Sequence, residues 1–104
     1  MVSQPDTTLS GVTVGATVIA TWPPKGYARR ITRLRITGPI PSQFDIYAGM
    51  ISDACKIGTT NRGDVNQADF TNPLPIPAGI ITYFVWSNFS LAVPSTVTIG
   101  YERD

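Results

Sequence analysis

Nine prolines and nine glycines are spread along 104 residues. They cut the chain into short segments and leave little room for helix. The stretches between them are rich in Thr, Val and Ile, whose branched Cβ atoms favour a pleated strand over a helical turn. One segment has a helical look, residues 51–55, but Gly49 and Gly58 bracket it too closely for more than a turn. The chain is therefore expected to be all-β.

Alternation of apolar and polar residues places the strands. Residues 12–22 read as one strand, with Val12, Val14, Ala16, Val18 and Ala20 of one parity and Thr on the other. Pro23 and Pro24 end it, because neither can donate to a ladder. Residues 27–37 form the next strand, with Leu34 and Ile36 on one face and Arg29, Arg33 and Arg35 on the other. Ile31 falls among the arginines, which calls for a bulge or a covered outer face. Residues 43–51 place Phe44, Ile46 and Ala48 against Gln43, Asp45 and Tyr47.

Residues 52–77 are expected to be irregular, with one or two short strands. Proline at 73, 75 and 77 forbids a paired central strand there. Pro77-Ala78-Gly79 reads as a tight turn. Residues 80–87 form a continuous apolar run and read as a strand buried on both faces, which makes Phe84 and Trp86 core residues. The chain closes on strict alternation over residues 95–102, with Val97, Ile99 and Tyr101 inward. Short strands with Gly/Pro turns predict an antiparallel β-sandwich or jelly-roll-like barrel. It forms a single domain over residues 11–104. Residues 1–10 are polar, hold Pro5 and lack strand periodicity, so they are expected to form an extended N-terminal arm.

Composition removes many chemistries. Without histidine there is no Ser–His–Asp or Cys–His constellation and no His-ligated metal site. Cys55 stands alone, so no internal disulfide or Cys-rich zinc site forms, and it reads as a small buried apolar residue. The seven acids suggest no catalytic pair and read as solvated surface groups. Asp64, Asn66 and Asp69 offer oxygens in one loop but lack the spacing of a calcium loop. Arg62-Gly63-Asp64 is an adhesive tripeptide and equally ordinary turn chemistry. The expected protein is not an enzyme and carries no cofactor or metal. The first residues lack a basic, then apolar, leader pattern, and no apolar run reaches the ~20 residues of a membrane helix. These features predict a soluble intracellular product without a membrane partner.

The arginine cluster is the sharpest local feature. Arg29, Arg30, Arg33 and Arg35 lie within seven positions. Residues 1–52 carry net +3, from five basic and two acidic groups, and residues 53–104 carry net −2, from three and five. Such a strand is a solvated face that blocks edge pairing, a protein interface, or a phosphate-tracking stripe. A formal net charge of +1 tells against nucleic acid. Trp22 and Tyr27, aromatics beside turns, are candidate interface anchors or carbohydrate platforms. Val2, Gln4 and Pro5 of the arm are candidates to reach a neighbouring subunit.

Four stretches carry a family resemblance: residues 28–37 entering Gly38-Pro39, Phe44-Asp45-Ile46-Tyr47-Ala48-Gly49, residues 77–86, and residues 96–102. Together the chain resembles small virion proteins of tailed bacteriophages, of the head-decoration or cement kind. The resemblance implies an all-β structural protein on the outside of a capsid, often trimeric at symmetry axes. Its implied partner is the major capsid protein or another virion protein. No functional residue transfers by motif. The alternative expectation is a tail or baseplate adhesion module for host carbohydrate or protein.

Overall fold

The computed structural model describes residues 1–39, 42–60, 65–67, 73–89 and 94–104. Among them the chain forms eleven strands and a single 3-10 turn, Asp53–Cys55. The strands are β1 (Val2–Ser3), β2 (Thr7–Ser10), β3 (Val12–Val14), β4 (Thr17–Trp22), β5 (Arg29–Thr37), β6 (Gln43–Ala48), β7 (Lys56–Thr60), β8 (Val65–Gln67), β9 (Leu74–Ile76), β10 (Thr82–Ser87) and β11 (Thr96–Arg103).

They build two antiparallel sheets. In the front sheet β11 lies between β5 and the N-terminal strands β1 and β2, and β8 and β9 line the far side of β5. The back sheet runs β3-β4-β10-β6-β7. From β4 onward the chain passes repeatedly between the sheets. With β1/β2 and β8/β9 each counted as one broken strand, the order is that of a double-sheet jelly roll. The core between the layers is Val18, Ala20, Trp22, Ile31, Leu34, Ile36, Phe44, Ile46, Ile76, Phe84, Trp86, Val97 and Ile99. Phe44 anchors its centre, edge-on to Trp86 at 5.0 Å and stacked with Phe84 at 6.1 Å.

Three local features depart from the sequence reading. Residues 12–22 are a hairpin, β3 and β4 around the two-residue loop Gly15-Ala16, with Val14 opposite Thr17. A two-residue loop pairs residues of opposite parity. Val12 and Val14 therefore face outward, while Val18, Ala20 and Trp22, of the same parity, face the core. Residues 1–10 are no free arm, because β1 and β2 both pair with β11. At Gly11 the chain leaves the front sheet for the back one. A Cβ there would collide with Val18 and crowd Trp86, so the close approach requires glycine. Third, the described residues of 52–77 hold three short strands, β7, β8 and β9. Of these, β9 carries Pro75 and lies at the margin of the front sheet, where a missing N–H is tolerated.

Candidate functional site

Two bulges decide which charged side chains share a face. In β5, Arg33 pairs with Gly100 and Ile31 with Tyr101, so Thr32 is an extra residue. The Thr32 hydroxyl donates to the Gly100 carbonyl at 3.1 Å, tying the bulge to β11. The bulge expected around Ile31 is thus present, and it reassigns the arginines. Arg29 turns inward with Ile31, while Arg30, Arg33 and Arg35 line the outer face of the front sheet. Arg30 meets Glu102 at 3.2 Å, and Arg33 forms an ion pair with Asp6.

That face is organised in rungs across three strands. Thr37, Thr96 and Ser10 form one rung, and Arg35, Thr98 and Thr8 the next. The Thr37 and Thr96 hydroxyls lie 2.6 Å apart and those of Thr8 and Thr98 3.0 Å apart. Arg33 follows, lying across Gly100, and Arg30, Glu102 and Ser3 complete the series. Val2 and Pro5 are exposed on the N-terminal segment and Gln4 is half-buried there, with Val2 opposite Arg103 and so on the other side of the sheet from the Ser3–Glu102–Arg30 rung. The structure thus gathers Arg30, Arg33, Arg35, Val2, Gln4 and Pro5 on one sheet.

It buries Arg29 and Trp22 and half-buries Tyr27. Arg29 is 1% exposed, stacked 3.9 Å over the ring of Trp22, itself buried and edge-on to Tyr101 at 4.9 Å. One Arg29 nitrogen, Nη2, donates to the Ile80 carbonyl at 3.3 Å, while Nε and Nη1 have no protein partner. Burial lowers the pKa of Arg29 from its usual range, partly offset by Tyr27 and Tyr101. Tyr27 is half-buried under the guanidinium of Arg103, 3.6 Å from its ring. Arg29 and Trp22 close one end of the core.

The back sheet holds a cluster that the sequence reading missed. Asp45, expected as a solvated acid, is 3% exposed although it points to the outer side. Its carboxylate accepts from Gln43 Nε2 at 3.0 Å, Thr59 Oγ1 at 2.5 Å and the Tyr47 hydroxyl at 3.4 Å, with Lys56 Nζ at 3.7 Å. The second bulge makes this possible. Ile46 pairs with Gly58 and Tyr47 with Lys56, leaving Ile57 extra. Lys56 and Thr59, three apart, can then flank Asp45 on one face. Desolvation and then the nearby Asp45 charge raise the pKa of Tyr47 above the usual tyrosine range. The alternation of Gln43, Asp45 and Tyr47 was a visible signal, but their partners from β7 were not.

Cys55 lies half-buried in the 3-10 turn. The oxygen-rich stretch around Asp64 and Asp69, and the Arg62-Gly63-Asp64 tripeptide, fall outside the described residues. Among the described residues, no helix is long and apolar enough to cross a membrane. Comparison with family models, with curated proteins and with solved structures finds no match for the chain.

Proposed function

We propose that this chain is a structural virion protein that docks on the exterior of a phage capsid and stabilises the shell. The outer face of the front sheet would be the docking surface, and the major capsid protein or another virion protein its partner. The rung pattern of threonine hydroxyls and arginines carries the reading. Arg30 and Arg33 are already held by Glu102 and Asp6, so less side-chain freedom is lost on docking. Guanidinium groups set in rows suit the carboxylates and carbonyls of a protein surface. The architecture serves viral capsids and lectins alike, so the face, not the fold, supports the choice.

The experiment is occupancy on purified shells. The double variant Arg33→Glu with Arg35→Glu should occupy fewer sites and show a shallower loss of binding with salt, with unchanged circular dichroism. Full occupancy would reduce the face to solvated surface and overturn the proposal. The adhesion-module alternative needs exposed aromatic rings grouped together. It draws less support, because Trp22, Trp86, Phe44 and Phe84 are interior and Tyr27 is covered by Arg103. Binding on a glycan array without shell binding would favour it.

A further inference from the structure

We propose that the edge strand β3 pairs with β3 of a second copy of this chain, antiparallel, about a two-fold axis through Thr13. β3 ends the back sheet: among the described residues it has β4 on one side and no strand on the other. Val12 and Val14 are 65% and 55% exposed. Sheet edges are ordinarily guarded by a charge, a proline or a bulge. β3 has none of these, and its register with β4 is unbroken. No charged residue occurs between Asp6 and Lys25. Two copies can therefore bring their β3–β4 hairpins together without like-charge repulsion or charge desolvation.

The sequence of the edge selects the partner. Gly11-Val12-Thr13-Val14-Gly15 reads the same in both directions. Antiparallel pairing presents a strand to its neighbour reversed. With Thr13 opposite Thr13, Val12 meets Val14 twice and Gly11 meets Gly15 twice. That is the self-complementarity a two-fold contact demands.

The backbone agrees. Val14 and Thr17 close a two-residue hairpin as a hydrogen-bonded pair, so alternation makes Thr13 and Val18 a non-bonded pair. The N–H and C=O of Thr13 are thereby directed to the open edge, where two Thr13 residues facing each other exchange both bonds. The four valines then extend the outer row of Val12, Ile19 and Val85 across the axis.

A contact this short buries less than the roughly 1,200 Å² of a stable complex. Pairing is therefore concentration-dependent and strengthens where copies are held side by side. The inference does not rest on the capsid reading, and its test uses the purified chain alone.

The test is register-specific cross-linking in a Cys55→Ser background. Cα atoms of a hydrogen-bonded antiparallel pair lie about 5.5 Å apart, within disulfide range. Thr13→Cys should oxidise to a covalent dimer at about 1 mM protein, the scale of a weak contact. Val12 lies diagonal to its own copy, about 7–8 Å away, so Val12→Cys alone should react at least about tenfold more slowly. A mixture of Val12→Cys and Val14→Cys should restore the cross-link. Equal rates at positions 12, 13 and the exposed turn residue Ala78 would overturn the pairing. So would no Thr13→Cys dimer from a variant with native circular dichroism.

Discussion

Arg33 lies across Gly100, and its stem fills the space that a Cβ at position 100 would occupy. The glycine on β11 and the ion pair with Asp6 thus depend on each other. Gly100→Ala should push Arg33 off the face and lower stability by about 1–2 kcal/mol, the usual scale of local overpacking. Arg33→Ala relieves the collision, so the double variant should lose less than the sum of the two singles. Urea midpoints of the four proteins provide the check, and strict additivity would refute the coupling.

Asp45 satisfies four neighbours at once. Asp45→Ala leaves Gln43, Thr59 and Lys56 without their shared acceptor and should destabilise by about 1–3 kcal/mol. Asp45→Asn keeps an acceptor oxygen and should cost less. Chemical denaturation of the pair measures the difference.

Tyr47 brings an alkaline dependence. Its folded pKa is raised by burial and by Asp45, so the folded protein holds this proton more tightly than the unfolded chain does. The associated stability is complete below the unfolded value, about 10, and is lost as pH rises from there through the folded pKa. Phenolate absorbance should show one tyrosine titrating late. Tyr47→Phe should flatten part of the fall in stability above pH about 10.

Arg29 is a buried cation with one hydrogen bond and two nitrogens without protein partners. Burying a charge so sparsely compensated is unfavourable. Arg29→Met keeps the volume against Trp22 and should be neutral or stabilising, within about 1 kcal/mol or better. A thermal melt decides it: a large loss would mean that the stacking over Trp22 outweighs the desolvation.

Deleting residues 1–10 removes β1 and β2 from β11 along with the Asp6 partner of Arg33. The melting temperature should fall by at least about 5 °C, the shift that ~1 kcal/mol produces in a domain of this size. An unchanged melt would return the segment to the role of a loose arm.

Much of the architecture could be read from residue patterns. Alternation in residues 95–102 gave β11 with Val97 and Ile99 inward, the apolar run at 80–87 gave β10, and Ile31 among arginines pointed to the bulge. Strand parity failed wherever a loop or bulge inserts a residue. Gly15-Ala16 inverts Val12 and Val14 relative to Val18, and Thr32 sends Arg29 inward while Arg30 joins Arg33. Period-two reasoning carries face assignments only up to the first such insertion. The Asp45 cluster was illegible for a different reason: Lys56 and Thr59 reach it only through long-range pairing of β6 with β7, and nothing local encodes that pairing.

β11 is the central partner of the front sheet, yet it comes last in chain order. Thr37 at the end of β5 waits 59 residues for Thr96, and β2 waits longer still. During synthesis the back layer can collapse first, leaving β5 and the N-terminal strands with solvated backbones until β11 emerges. Closing loops of that length is entropically slow. The front sheet should therefore close only when β11 becomes available, and that strand sets the moment at which the two layers are complete.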